Sequence, residues 1–297
     1  MIRLFEAGAW LVCHVPFPLR IALARLGGRL VFAVSRRVRR NTIANMAVVL
    51  GLAESDARVA ALARESVVQY VEHLTDLLRF HRQTPDEVVA RVRGVDAVEN
   101  ILAAKGAGRG VIFVSAHFGN WEVAGAYLAR DNPMVVIQET FASKGANELL
   151  RRIRAAKYLR ALQMEHAARP IIRVLRDNGF MAMVADRPTP DAGIAVTFFG
   201  RRTAVPQGVA RFALLADAAV LVGGMIRLPD HTYQGVAMPP IFPDRSRDRD
   251  AEVARITQAV MTDIESLIRR RPDQWYMFRP MWVDASRTCR GSDRGTQ

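Results

Sequence analysis

An apolar run that halts at a histidine, Val111-Ile-Phe-Val-Ser-Ala-His117, most narrows what this chain can fold into. The run is short, rich in β-branched and aromatic residues, and follows Gly106-Ala-Gly-Arg-Gly110, which predicts a buried strand after a loop. Residues 120–129 carry small and apolar side chains at helical spacing. Asn120 is placed to cap that helix, with Glu122 in its first turn. His117 thus falls at the carboxyl end of a strand in a strand-loop-helix unit, the position at which open α/β sheets bind ligands.

The same patterning repeats on both sides. Strands are predicted at 134–138, 180–185, 194–199, 219–226 and near 232–238. Helices are predicted at 144–157, 167–178, 206–215 and 249–271, and residues 41–92 read as helical with breaks at Gly51 and Pro85. A further short helix is expected at 95–104. The fold class is therefore α/β, with a mixed, mostly parallel central sheet flanked by helices. Three regions are expected: N-terminal amphipathic, membrane-associating helices at 1–40, an α/β domain at 41–283, and a polar, disordered tail at 284–297.

The first region carries the expectation of a membrane surface. Residues 4–19 are mostly apolar but are interrupted by Glu6, His14, Pro16 and Pro18, and their uncharged core is shorter than the ~20 residues needed to span a bilayer. Residues 21–34 continue as a helix punctuated by Arg25 and Arg29, and Arg36-Arg-Val-Arg-Arg40 follows. Interfacial helices with arginines at headgroup level fit that pattern, and so does an ordinary packed helical hairpin. The net charge of +13 favours anionic partners without choosing among them. Cys13 and Cys289 have neither metal-ligand spacing nor a disulfide framework, which suits a reducing compartment.

His117 is the candidate general base. To take a proton from an incoming hydroxyl, an imidazole needs one nitrogen free and the other held by an acceptor, commonly a carboxylate. Glu122, five positions along, is the expected acceptor. No Gly-x-Ser-x-Gly elbow supplies a protein nucleophile, so the hydroxyl would come from a substrate. Backbone amides around Gly119 and Asn120, or an arginine, are expected to face the developing oxyanion. No Walker loop, dinucleotide fingerprint or metal cluster is legible, and no cofactor is expected.

His117-Phe-Gly-Asn-Trp-Glu122 resembles the His-x4-Asp/Glu motif of glycerolipid and lipid A-type acyltransferases. The chain is particularly similar to the bacterial lipid A biosynthesis acyltransferase family, which includes phosphatidylinositol mannoside acyltransferases. Val184-Ala-Asp186-Arg187-Pro188, Gly193-Ile-Ala-Val-Thr-Phe198-Phe199-Gly200, Val205-Pro-Gln-Gly208 and the Trp-rich close Trp275-Tyr-Met-Phe-Arg279-Pro-Met-Trp282 carry the likeness over about residues 1–283. The resemblance implies transfer of an acyl group from a thioester donor, acyl-CoA or acyl carrier protein, to a hydroxyl of a glycolipid or lysolipid. It also implies a peripheral place on the cytoplasmic face of a bacterial inner membrane.

Further residues are assigned on that footing. Asp186 is a second partner for His117 or, with Arg187 and Glu139, binds the acceptor. Arg201 and Arg202, in a segment like the one that closes the family's site, suit phosphate by their forked donors, as does Arg151 on its predicted helix. A lipid or thioester hydrolase on the same scaffold is the competing expectation. Nucleic-acid binding is disfavoured, because the arginines are spread along the chain and no recognition helix or aromatic-basic platform appears.

Overall fold

The computed structural model describes residues 2–138, 143–163 and 167–282, without the side chains of residues 2–7, 144 and 146. Glu139 and the tail expected at 284–297 lie outside these residues. Helices α1 (Ile2–His14), α2 (Phe17–Val34), α3 (Arg36–Leu50) and α4 (Ala57–Arg82) come first. Pro at the start of α2 and Gly51 in a left-handed C-cap of α3 bound them as proline and glycine do elsewhere. α2 lies so close to α4 that a Cβ on Gly28 would stand 2.5 Å from Val68 Cα, so only glycine permits this crossing. No helix among the described residues is long and apolar enough to cross a membrane.

The capped turn α5 (Pro85–Val89) leads to strand β1 (Val92–Asp96) and helix α6 (Val98–Gly106). β1 is a departure from the helical reading of residues 41–92 and 95–104. It has no alternation of its own and becomes a strand by pairing with a distant one. Next come β2 (Val111–Ser115), α7 (Trp121–Ala129), β3 (Met134–Gln138), α8 (Lys144–Ala155), β4 (Leu159–Gln163), α9 (Ala168–Arg176) and β5 (Phe180–Val184). The hairpin β6 (Ile194–Phe198) and β7 (Arg201–Val205) precedes α10 (Gly208–Ala216), β8 (Ala219–Arg227), β9 (Tyr233–Ala237) and α11 (Arg249–Arg270).

Seven strands form one sheet in the order β1-β9-β8-β2-β5-β3-β4. Every adjacent pair is parallel except β8 and β9. The sheet is thus mixed and mostly parallel, as the alternation of elements implies. β6 and β7 stand apart as a two-stranded antiparallel unit packed on α11. Its turn at Phe199-Gly200 has two positive φ angles, the geometry that suits the twist of a two-residue hairpin.

β2 is buried on both faces, as its unbroken apolar run requires. Ile112 and Val114 join the core under α9, α10 and α11, and Val111 and Phe113 join a second cluster under α6 and α7. The chain leaves β2 between β8 and β5, and the site lies in the crevice beyond the carboxyl ends of those strands.

Candidate active site

Two parallel strands in register build the centre. Ser115 ends β2 opposite Val184 at the end of β5, and Ala185 N–H donates to Ser115 O at 3.0 Å. Two residues beyond each strand, His117 and Asp186 therefore meet. His117 Nδ1 lies 2.6 Å from Asp186 Oδ1, and the His117 backbone N–H donates to Asp186 Oδ2 at 3.1 Å. Trp275 Nε1 donates to the same Oδ2 at 2.9 Å. Asp186 is wholly buried, and burial alone would raise its carboxyl. The His117 ring and the three N–H donors outweigh that and hold it below the usual carboxylate range. With Nδ1 committed to an acid that stays ionised, Nε2 is the nitrogen left for a substrate.

The expected orienting acid is thereby corrected. Glu122 does not turn back to His117; both its oxygens are taken by Arg154 from α8, Oε1 at 2.6 Å and Oε2 at 3.2 Å. The cause is the cap. Asn120 Oδ1 accepts from Val123 N–H at 3.1 Å, so the helix begins at Trp121, and Glu122 in its first turn joins the buried side of α7. Burial alone would lower the Arg154 guanidinium, but the Glu122 carboxylate raises it above its ordinary value.

The expected oxyanion donors are corrected as well. Phe118 N–H donates to Ala116 O, Gly119 N–H to Gln274 O at 2.9 Å, and Asn120 N–H to Met225 O at 2.9 Å. These amides hold the loop against β8 and the C-terminal segment. Gly119 is required there because its φ is +57° and a Cβ would fall 2.0 Å from Met225 O. Asn120 is spent on its cap and on a hydrogen bond from Nδ2 to the Tyr233 hydroxyl.

Of the remaining candidates, Arg187 is half-buried beside Asp186. Arg151 is bound to Glu148 on the exposed side of α8, at the rim of a small polar cavity lined also by Gln138, Asn147 and Gln163. Arg201 and Arg202 are exposed on β7. None of these four arginines lines the apolar cavity described next.

That cavity runs between the sheet and the helices α6 and α7. Ser115, Trp121, Glu122 and Arg154 stand at its polar end, and Phe113, Leu128, Val136, Ala182 and Leu221 line its apolar part. The Trp121 ring sits edge-on to His117, with centroids 5.5 Å apart. Base and cavity are thus adjacent, joined through one indole.

Sequence reasoning gave no site role to Trp275, Tyr276 or His73. The first two belong to the Trp-rich close, which also anchors the site through a hydrogen bond from Tyr276 N–H to His117 O at 2.8 Å. Nothing in the local pattern of α4 distinguishes His73 from a packing residue. It is buried, its ring is tilted against that of Trp121 with centroids 4.2 Å apart, and its Nδ1 has no hydrogen-bond partner among the described residues. Burial, aided by the Arg227 charge, pushes its pKa down to about 4.

The sign of the consequence follows. Between pH 6.5 and about 4 the unfolded ring holds a proton that the folded ring refuses, so this contribution is complete above pH 6.5 and disappears on acidification. Its size is about 3 kcal/mol. Urea unfolding from pH 4 to 7 is expected to show a shallower pH dependence in His73→Phe than in the parent protein; equal slopes would refute it.

The profile of the bacterial lipid A biosynthesis acyltransferases matches residues 2–284. Two phosphatidylinositol mannoside acyltransferases are similar to the chain. That of Mycolicibacterium smegmatis is 26% identical over 247 residues, covering 80% of this chain and 78% of its own. That of Mycobacterium tuberculosis is 28% identical over 253 residues, covering 80% and 75%. A 1-acyl-sn-glycerophosphate (LPA) acyltransferase from Thermotoga maritima aligns over 84% of this chain and 97% of its own, at 15% identity and a TM-score of 0.37. On the profile match, which runs through every element of the sheet and both residues of the His117–Asp186 pair, the chain belongs to the bacterial lipid A biosynthesis acyltransferase family.

Proposed function

We propose that this acyltransferase moves a fatty acyl group from a thioester, acyl-CoA or acyl carrier protein, to a hydroxyl of a membrane glycolipid or lysolipid. The observation that carries the reading is a buried His–Asp pair beside an apolar cavity whose lining includes the buried Glu122–Arg154 ion pair. His117 Nε2 removes the acceptor's proton as its oxygen attacks the thioester carbon. The C–S bond breaks, and the thiolate leaves with a proton. Asp186 orients the ring and stabilises the imidazolium that forms. The apolar cavity takes the acyl chain, and the buried Glu122–Arg154 pair ties α7 to α8 at its wall. Arg151, Arg201 and Arg202 are proposed to meet phosphate of the donor, and Arg187 and Glu139 the acceptor. No cofactor enters the reaction.

The reading extends to the membrane. Nine of the sixteen large apolar side chains exposed among the described residues lie on α1 and α2, including Trp10, Leu19, Leu23, Leu26, Leu30 and Val34. With Arg29, Arg36, Arg37 and Arg40 nearby, they suit a peripheral seat on anionic lipid at the cytoplasmic face of the bacterial inner membrane. There the acceptor would reach His117 without leaving the bilayer surface.

The test is reconstitution of the whole chain on anionic vesicles with palmitoyl-CoA or palmitoyl carrier protein and extracted bacterial glycolipid. A new ester by mass spectrometry is expected. Free fatty acid as the sole product would mean a hydrolase, and no consumption of either thioester would sink the proposal.

A further inference from the structure

We propose that Ala182 sets the length of acyl chain this enzyme accepts, because it is the small member of the rung of side chains at which the apolar cavity closes. The inference rests on the reading of that cavity as the acyl-chain site. On the face of the sheet under α6 and α7, side chains form rungs across the strands. The strand register places Val136, Ala182, Phe113 and Leu221 in one rung: Val136 pairs with Ala182, Ala182 with Phe113, and Phe113 with Leu221. All four line the cavity.

In the next rung toward the amino ends of the strands, Met134, Phe180, Val111 and Ala219 do not line it, and only Leu159 of β4, paired with Met134, does. Over β8, β2 and β5 the cavity therefore runs from the Ser115–Val184 rung, next to the base, to the Ala182 rung, and it reaches one rung further only at Leu159 of β4. Phe180, two residues before Ala182 on the same strand and face, lies beneath that floor. Its ring lies nearly parallel to that of Phe113, with centroids 6.0 Å apart, and the Lys105 ammonium sits 5.7 Å from its centroid.

Within the lining rung three positions carry large side chains, and the fourth carries a single methyl. The gap over Ala182 is the floor that the far end of a chain would reach. A larger side chain there projects into the cavity, since its neighbours along the rung and below it are already packed. The roof gives no relief: a Cβ on Gly125 of α7 would stand 3.2 Å from Leu159 Cδ1, so helix and sheet already approach as closely as that glycine allows.

Each methylene that loses its place in an apolar site costs about fourfold in kcat/KM. Ala182→Val, Ala182→Leu and Ala182→Phe, assayed with saturated thioesters from octanoyl to stearoyl, are expected to move the longest efficient chain down in that order. Chains shorter than the new limit should keep kcat/KM within about twofold of the parent, and each methylene beyond it should cost about fourfold. An unchanged length profile, or a loss equal at every length in all three variants, would overturn the assignment.

Displacement of a fluorescent fatty acid by the same chains as free acids gives a second readout that needs no turnover. A parent enzyme that makes no ester in any assay refutes the proposed reaction. The displacement series still decides on Ala182: a limit that shortens from alanine to phenylalanine upholds it, and a fixed limit ends it.

Discussion

His117→Ala is expected to lower the rate of acyl transfer by about 10²- to 10⁴-fold, the span a positioned general base contributes, and to lower the thermal midpoint as well, because it takes the ring away from the buried Asp186 carboxylate. Asp186→Asn is the more informative variant and is expected to cost as much. Oδ2 of Asp186 accepts two N–H donors, from Trp275 Nε1 and the His117 backbone. An asparagine must keep its oxygen there, which turns its NH₂ toward His117 Nδ1. The ring then has to accept at Nδ1, and its proton moves to Nε2, where the base should be free. Single-turnover rates for the two variants and the parent, with unfolding curves alongside, make the comparison. An Asp186→Asn enzyme with near-parent turnover would show that this carboxylate does not hold the tautomer.

Arg154→Met is expected to destabilise the fold by about 3–5 kcal/mol, because it strands the Glu122 carboxylate in a buried site. For a chain of this size that lowers the melting temperature by about 5–8 °C. The double variant Glu122→Gln with Arg154→Met, which removes both charges, is expected to recover most of the loss. Glu122→Gln alone should leave turnover much closer to the parent than Asp186→Asn does. Were Glu122 the acid that orients His117, the two single carboxylate variants would be equally impaired. Differential scanning calorimetry and the same single-turnover assay separate the two roles.

The buried charge that surrounds this pair extends well beyond it. Arg227 is enclosed with Glu72, Asp76 and Gln69, and Asp76 accepts the hydroxyl of Tyr233, which in turn accepts from Asn120 at the start of α7. Arg25 of α2 reaches the same Glu72 at 2.8 Å. The helices proposed to meet the membrane and the turn that follows His117 are therefore joined by one run of satisfied polar contacts. Such a network specifies a single arrangement when every member is paired.

Local chemistry in the sequence determined the strand that ends before His117, the Asn120 cap and the alternation that requires a mostly parallel sheet. These depend on neighbours within a few residues, so periodicity and cap residues expose them. β1 and β4 were not legible, since each becomes a strand through pairing with a partner far along the chain. The identity of the acid beside His117 was decided in the same non-local way. Glu122 is five residues distant and Asp186 sixty-nine, yet the parallel pairing of β2 with β5 brings the distant one to 2.6 Å. The helical turn that begins at Trp121 turns the near one toward Arg154. Proximity along a chain sets which side chains can meet cheaply, but the register of a sheet sets which ones do.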